Sequence, residues 1–289
     1  MSIKEDLYKE IENQQPEIIT PAHREAIDKL DSGDFHLSFS KLRRFMVSPW
    51  ALVCYMAKEF KDTAAMKLGA LEHVIILEPK EFEKRYVVYS KEDESKTWGQ
   101  LPNKAIKAEA EAEAIDGNKI CVPLEMVLEA INRKNLIYNN LVSGELLRGC
   151  NYFEKKLEWD YLGYNWLGYI DGGCPAYFLD IKKVPDAIPR KLKWTAKDRD
   201  FAGQGFLYNK GLGVAPYRES YFICVDGSET VTTIEFKGFQ YQEAEANIIE
   251  AVNKLNECRS EGAWTMNKEF WCPDEDKGYY TYERLQNTF

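Results

Sequence analysis

Two aspartates and a lysine stand at the ends of two neighbouring apolar runs. Asp171 closes the run Tyr164–Ile170, and Asp180 closes the run Ala176–Leu179, with Lys182 two positions later. A Gly-Gly-Cys-Pro segment separates the two runs and is typical of a turn. Residues two apart in a strand share a face. We therefore expect Asp180 and Lys182 to emerge side by side, with Asp171 meeting them from the adjacent strand.

Two carboxylates and one ammonium on a common face suit metal-dependent cleavage of a phosphodiester. Carboxylate oxygens bind hard cations such as Mg²⁺. A lysine beside them can direct an attacking water or offset charge on the phosphate. The competing interpretation is that these are solvated residues at strand ends, since an Asp-x-Lys triplet is common by chance. The surrounding residues must therefore decide between the two.

Composition limits the class of protein. The chain has 289 residues, 45% of them hydrophobic and 29% charged, which is ordinary for a globular protein. No apolar run approaches the roughly 20 residues of a membrane helix, so no membrane partner is expected. The charged N-terminus lacks the apolar stretch of a secretion signal. Seven scattered cysteines argue against disulfide, zinc and iron–sulfur frameworks and favour reduced thiols in a cytoplasmic protein.

Charge is distributed unevenly along the chain. The net charge is −9, yet residues 182–199 carry seven basic side chains against two acidic ones. Local potential matters more to a polyanion than the total charge does. The segment is either a solvated basic loop or a contact surface for a nucleic-acid backbone.

The pattern along the chain predicts an α/β protein with a helical addition in front. Residues 1–35 form a polar N-terminal segment, and 36–289 form a single domain. Within that domain, 36–148 is mostly helical, 150–260 is the α/β core, and 261–289 is an aromatic tail expected to pack onto the body. The core is predicted as three strands, a helix, two strands and a helix.

Particular elements follow from hydrophobic period and from turn residues. A helix capped by Ser38 or Ser40 should stop or restart at Ser48-Pro49. The other predicted helices cover 63–77, 105–114, 123–138, 194–209 and 239–258, and the predicted strands cover 86–89, 152–159, 164–170, 176–181, 217–225 and 229–236.

Further candidate residues surround the aspartates. Gln204 and Tyr208 lie four apart on one helix face, where they either donate to a DNA backbone or anchor the helix to the sheet. His73 lies on an apolar helix and is either a metal ligand or a satisfied core residue. Glu72 beside it points elsewhere around the helix and could simply be exposed. Glu154 opens the strand before Asp171 and could reach the same site, with Glu158 as a competitor on the same face.

The order of these features resembles the exodeoxyribonuclease VIII (RecE-type) family. That family belongs to the PD-(D/E)XK nucleases, which have a central mixed sheet flanked by helices, and shares its histidine and Q-x-x-x-Y motifs with RecB-type nuclease domains. The resemblance covers roughly residues 36–260. It rests on the following features in order: Ser38-x-Ser40, Ser48-Pro49, Gly69-Ala70-Leu71-Glu72-His73, Leu77-Glu78-Pro79-x-x-Phe82, Glu154, Gly168-Tyr169-Ile170-Asp171, Asp180-Ile181-Lys182 and Gln204-x-x-x-Tyr208.

The resemblance implies a role for each matched residue. His73, Asp171 and Asp180 would be metal ligands, with the carbonyl of Ile181 completing the shell. Lys182 would be the catalytic lysine, and Glu154 a further acidic residue of the site. Gln204 and Tyr208 would line the DNA, and the basic residues Lys183, Arg190, Lys191 and Lys193 would supply backbone contacts. Two departures from the family pattern are Ile170 before Asp171 and Lys183 after Lys182; neither removes a catalytic group.

The implied activity is a Mg²⁺- or Mn²⁺-dependent exonuclease that degrades linear double-stranded DNA from 5′ to 3′ in phage-type recombination or DNA processing. The resemblance further implies a ring-like homo-oligomer and cooperation with a single-strand annealing protein. Two alternatives stay open from the residues alone. One is a structure- or sequence-specific endonuclease of the same superfamily, and the other is a DNA-binding module without turnover.

Overall fold

The computed structural model describes residues 19–57, 64–90, 102–213, 218–236 and 238–264. These residues fall into two compact units. The first comprises 19–57, 162–165 and 248–264, and the second comprises the remaining described residues. The candidate residues that the sequence identified for chemistry all lie in the second unit. The boundaries at 35 and 36 stay a prediction, and most of the aromatic tail lies outside the described residues.

Helices predominate up to residue 149, and from 152 onward three strands, two helices, two strands and a helix follow in order. The helices are α1 Pro21–Ser32, α2 Phe39–Val47, α3 Pro49–Ala57, α4 Ala64–Leu77, a 3-10 turn Pro79–Glu81, α5 Phe82–Arg85, α6 Pro102–Asp116, α7 Leu124–Asn139, α8 Leu141–Gly149, α9 Pro189–Asp198, α10 Phe201–Gly211 and α11 Gly238–Glu261. The strands are β1 Tyr86–Tyr89, β2 Ile120–Pro123, β3 Tyr152–Tyr161, β4 Tyr164–Gly173, β5 Tyr177–Lys183, β6 Glu219–Val225 and β7 Val231–Phe236.

The first unit confirms the predicted break at Ser48-Pro49. The Ser38 hydroxyl accepts the Lys41 N–H at 3.3 Å and so caps the start of α2. Ser48 then leaves helical geometry at the end of α2, and Pro49 begins α3. Proline is tolerated there because the first turn of a helix needs no N–H from that residue.

A five-stranded mixed sheet forms the frame of the second unit. Its strand order is β3-β4-β5-β6-β7. The pairs β4–β5 and β6–β7 are antiparallel, whereas β5 and β6 run parallel and place Asp180 opposite Phe222 and Lys182 opposite Cys224. The predicted hairpin between the two aspartate-bearing strands is therefore confirmed. A separate two-stranded parallel sheet pairs β1 with β2.

The two faces of β5 have different partners, as strand alternation requires. Leu179 and Ile181 face a core built with residues of α4, α7 and α8, namely Ile76, Leu77, Ile137 and Leu147. On the opposite face Phe178 packs with Tyr208 of α10. Asp180 and Lys182 share that second face, so the site's carboxylate and ammonium lie on the α10 side of the strand.

One predicted helix was wrong. The stretch 194–209 is not continuous, because α9 ends at Asp198 and α10 begins at Phe201. Asp200 adopts a left-handed backbone, with φ of 49°, and its carboxylate accepts the Gly203 N–H at 2.9 Å. A capping aspartate thus starts a new helix where apolar spacing alone predicted continuation. The helix α8 and the strand β2 were not predicted.

None of the described helices is long and apolar enough to span a membrane. At the end of the described chain, the Trp264 indole donates to the Asp31 carboxylate at 2.7 Å within the first unit. The predicted packing of the tail from 265 onward lies outside the described residues.

Candidate active site

The site begins where β4 and β5 separate. Their register pairs Gly172 with Leu179 and Gly173 with Phe178. At Asp171 the side chain, not the backbone, is the hydrogen-bond acceptor: its Oδ2 accepts the backbone N–H of Ile181 at 2.6 Å. A carboxylate substitutes for a strand carbonyl, so Asp171 is held at the sheet with only 5% of its surface exposed.

Asp180 lies on the neighbouring strand and is 3% exposed. Its Oδ1 accepts a hydrogen bond from the Gln204 side-chain amide at 3.0 Å. The Lys182 ammonium lies 2.5 Å from its Oδ2, as the predicted sharing of one strand face requires. That Oδ2 is fully buried, and the Lys182 ammonium is the charged group that compensates it.

His73 reaches the aspartates from α4. Its Nδ1 lies 3.2 Å from Glu154 Oε1 and 3.7 Å from Asp171 Oδ1. One potential ligand atom from each of the three residues lies within 4.8 Å of the others. The structure thus brings together His73, Asp171 and Glu154, all three predicted for the site, and the predicted ligand Asp180 is not one of this group. Glu158 instead faces the Lys156 ammonium at 2.5 Å.

Glu154 reaches this position through an unusual backbone. Its φ is +46°, which places it in the left-handed region within β3. A residue other than glycine, asparagine or aspartate rarely adopts that conformation. Two exposed residues, Lys155 and Lys156, follow before the buried Leu157, so the strand lacks strict alternation here. The irregularity coincides with the carboxylate that meets His73.

The pKa values of His73 and Asp171 are both raised. The pKa of His73 is raised to about 9, chiefly by the Asp171 carboxylate, against the opposing effect of burial. Burial is the largest cause that raises the pKa of Asp171 to about 7, with Asp180 adding to it and His73 and Lys182 opposing it. A metal that binds His73 and Asp171 would therefore have to displace protons from them.

Glu72, which could have been exposed, is buried. It is 6% exposed and contacts the Arg133 guanidinium of α7, which is equally buried. A second carboxylate, Glu129, lies 2.6 Å from the same guanidinium. Burial raises the pKa of Glu72 even though Arg133 favours its charged form. Because Glu72 directly precedes His73, this ion pair fixes α4 beside its site residue, and hydrophobic period gave no signal of it.

The donor set fits a hard divalent cation. His73, Glu154 and Asp171 offer one nitrogen and carboxylate oxygens within 4.8 Å of one another, and Asp180, paired with Lys182, is a further carboxylate of the site. Such oxygen-rich sets are typical of Mg²⁺ and Mn²⁺. The predicted ligation by the Ile181 carbonyl stays a prediction. In the structure the backbone N–H of Ile181 donates a hydrogen bond to the Asp171 carboxylate.

Gln204 and Tyr208 are both 8% exposed. The Gln204 amide donates to Asp180 and also to the Tyr208 hydroxyl, at 2.8 Å. Burial raises the pKa of Tyr208, which keeps the phenol neutral. These contacts match the anchoring alternative, in which the pair ties α10 to the sheet. Contact with DNA stays a prediction.

Four basic residues were predicted to contact the DNA backbone. All four are exposed and lie in the second unit: Lys183, Arg190, Lys191 and Lys193. Lys191 lies 2.6 Å from the Asp186 carboxylate, and the Lys193 ammonium lies 4.8 Å from the centre of the Trp194 ring. The Lys183 carbonyl accepts from the Arg199 guanidinium at 2.9 Å. These residues are accessible to a polyanion, and their binding role stays a prediction.

Comparison with known proteins yields a structural likeness. No family model matches the chain, and no curated protein does. The fold is similar to the crystal structure of a "putative exonuclease" from Eubacterium rectale, with a TM-score of 0.55 and 10% identity over 81% of this chain and 84% of that one. The structure of SSO0001 aligns with a TM-score of 0.28 and 12% identity over 69% of this chain and 88% of that one. This TM-score is too low to indicate a shared fold. At these identities the first likeness concerns the fold alone, a mixed sheet with flanking helices.

Proposed function

We propose that this chain is a metal-dependent deoxyribonuclease that hydrolyses phosphodiester bonds. The observation that carries the proposal is the convergence of His73, Glu154 and Asp171, with ligand atoms within 4.8 Å of one another. Lys182 lies beside Asp180 on the adjacent strand, 2.5 Å from its carboxylate. A site built only for stability has little reason to bury carboxylates side by side, because like charges oppose one another there.

The proposed cofactor is Mg²⁺ or Mn²⁺, held by His73, Glu154, Asp171 and Asp180. When bound, it would polarise the scissile phosphate and acidify an attacking water. His73 and Asp171 must then present their unprotonated forms, which their raised pKa values oppose.

The chain's own residues supply the remaining chemistry. Lys182 is positioned to orient the attacking water and to offset charge that develops on the phosphate. Gln204 donates to Oδ1 of Asp180, and the Lys182 ammonium lies beside Oδ2 of the same carboxylate. Asp171 is fixed through Ile181, which lies between Asp180 and Lys182 on β5. Three of the groups are thus oriented by a single strand, as precise catalysis requires.

Within nucleases, we propose a PD-(D/E)XK enzyme acting as a 5′-to-3′ exonuclease on linear duplex DNA. Support comes from the ordered motifs that resemble the RecE-type family and from the fold likeness to a protein described as an exonuclease. Ring formation and cooperation with an annealing protein rest on the motif resemblance alone and stay predictions.

The test is digestion of linear duplex DNA, labelled separately at each 5′ or 3′ end, in Mg²⁺ and in Mn²⁺. Wild type should release nucleotides, whereas Asp180→Ala and Lys182→Ala should lose at least 100-fold in rate, a loss of about 2.7 kcal/mol. Lys84→Ala is the matched control, because Lys84 is an exposed lysine paired with Glu81 at 2.7 Å. Equal degradation by all four proteins, or none in any divalent metal, would overturn the assignment.

Closed circular plasmid separates the two nuclease alternatives. An exonuclease needs an end and should leave the circle intact, whereas an endonuclease should nick or linearise it. DNA binding without cleavage of either substrate would support the module without turnover.

A further inference from the structure

An exposed indole lies among four cations on α9, the helix that follows the Asp-x-Lys strand. The Trp194 side chain is 54% exposed. On a helix surface its neighbours three and four positions away are Arg190, Lys191, Lys197 and Asp198. The three basic ones are exposed, and the ammonium of the adjacent Lys193 lies 4.8 Å from the ring centre. A large aromatic surface in water therefore has more cations than carboxylates around it; Lys191 is paired to Asp186, and Asp198 is the acidic residue among these neighbours.

The buried side of α9 is accounted for by other residues. Leu192 and Ala196 are the buried positions of this helix. Trp194 is thus not needed to fill the core. A tryptophan buries a large apolar area when it finds a partner, so leaving one exposed forgoes that gain. The excess of basic side chains around the indole indicates that such a partner is anionic.

The start of α9 is tied to the residue that follows β6, and its end is tied to the last residue of β5. Before α9, the Asp226 carboxylate accepts the Ala187 N–H at 2.9 Å, and the Asp186 carboxylate accepts the Ile188 N–H at the same distance. After α9, the Arg199 guanidinium donates to the Lys183 carbonyl. The indole is therefore carried by a helix anchored to the residue that follows Lys182.

We propose that Trp194 is a stacking platform for an unpaired base of single-stranded DNA, with Arg190 and Lys197 contacting the flanking phosphates. Every base presents a π-face to an indole, and stacking on an aromatic side chain tolerates any sequence. Within a duplex those faces are covered by neighbouring base pairs, so the platform selects single strand. The inference rests on the proposed function for its substrate class, and it adds an unpaired segment, such as the strand spared when a duplex end is digested.

The test measures binding without cleavage. Full-length protein in EDTA is titrated against a fluorescent duplex that carries a six-nucleotide single-stranded overhang, against the same duplex with abasic overhang residues, and against the blunt duplex. The abasic overhang retains phosphates and loses stacking. Wild type should bind the normal overhang about 5- to 150-fold more tightly than the abasic one, the range that stacking of one base gives.

Trp194→Ala should abolish that discrimination, and Trp194→Phe should keep part of it. Phe239→Ala is the matched control, because Phe239 is an exposed aromatic, 73% exposed, at the start of α11. It should leave the discrimination intact. Lys197→Ala should weaken binding of both overhangs alike and reduce the slope of log affinity against log salt by about 0.7 for each phosphate that the protein no longer neutralises.

Equal affinity of wild type for normal and abasic overhangs overturns the proposal, as does discrimination that survives Trp194→Ala. Preference for the blunt end over both overhangs would also overturn it, because the indole would then cap a terminal base pair. Far-ultraviolet circular dichroism of the variants checks folding. Hydrolysis is measured separately. A protein that discriminates between the overhangs and never cleaves DNA supports the stacking site and contradicts the nuclease proposal. A protein that cleaves DNA and does not discriminate supports the nuclease proposal and contradicts the stacking site.

Discussion

Oδ2 of Asp171 accepts the backbone N–H of Ile181 at 2.6 Å, while Oδ1 of the same carboxylate lies 3.7 Å from the His73 ring. One side chain thus closes the sheet where β4 leaves β5 and also faces the candidate metal centre. Sheet geometry and site geometry are coupled through this residue. A substitution can separate the two roles.

Asp171→Asn should lose hydrolysis yet retain the amide oxygen that accepts from Ile181. Asp171→Ala should lose both functions and leave a buried N–H without a partner. We expect the alanine variant to unfold with about 1–3 kcal/mol less free energy than the asparagine variant. Urea unfolding monitored by circular dichroism measures the difference. Equal stability would mean that water or a shifted strand satisfies the Ile181 amide.

The backbone of Glu154 gives a second prediction. Glu154→Gly and Glu154→Ala both remove the carboxylate, but only glycine accepts a φ of +46° without strain. Relief of roughly 1–2 kcal/mol should exceed glycine's entropic cost of about 0.4–1 kcal/mol. The glycine variant should therefore be the more stable of the two in urea unfolding, while both bind Mn²⁺ equally poorly. A more stable alanine variant would contradict the strain assigned to this residue.

The sequence predicted some parts of this site and missed others for physical reasons. Asp171, Asp180 and Lys182 could be placed because a turn between apolar runs implies a hairpin and because strand alternation is regular there. Glu154 was included through family resemblance, since a positive φ breaks the alternation on which such reasoning depends. The helix break at Asp200 was missed for the same kind of reason. The Glu72–Arg133 pair joins residues 61 positions apart, a separation that no local pattern reports.

A substitution at Gln204 distinguishes two roles of this side chain, positioning of Asp180 and contact with DNA. Gln204→Met keeps the volume and removes the amide that donates to Asp180. Loss of such a supporting contact typically costs 10- to 100-fold in activity or metal affinity. We expect kcat on linear DNA to fall by about that factor at unchanged KM for DNA, with a smaller effect for Tyr208→Phe, which keeps the ring packing. A raised KM at unchanged kcat would instead favour the role in lining the DNA.

Arg133 tests the buried ion pair that underlies α4. Arg133→Met leaves the Glu72 carboxylate buried without its partner, and removing one member of such a pair costs about 3–5 kcal/mol. Glu129→Gln is the matched control, since Glu129 contacts the same guanidinium from a side chain that is 49% exposed and should cost under about 1 kcal/mol. Urea unfolding measures both. The double variant Glu72→Gln with Arg133→Met should recover much of the loss, and failure to do so would show that packing of Arg133 dominates.

The last prediction concerns pH and the metal. His73 and Asp171 both have raised pKa values in the metal-free protein, about 9 and about 7, because carboxylates surround the ring and burial penalises the aspartate charge. A cation requires a neutral ring nitrogen and an ionised carboxylate, so binding must release protons wherever these groups hold them. Raising the pH removes those protons in advance, and affinity should therefore increase with pH.

Between pH 7 and 9 the proton on His73 is the main one to be displaced, so the affinity for Mn²⁺ should rise by up to about tenfold per pH unit and level off near pH 9. Below pH 7 the Asp171 proton should steepen the dependence. Calorimetric titration of DNA-free protein, in two buffers of different ionisation enthalpy, measures the affinity and the protons released. His73→Gln should flatten the profile between pH 7 and 9 and retain the lower limb. If the affinity of wild type for Mn²⁺ does not change with pH over that range, His73 loses no proton on metal binding. The proposal that His73 ligates the metal would then be wrong.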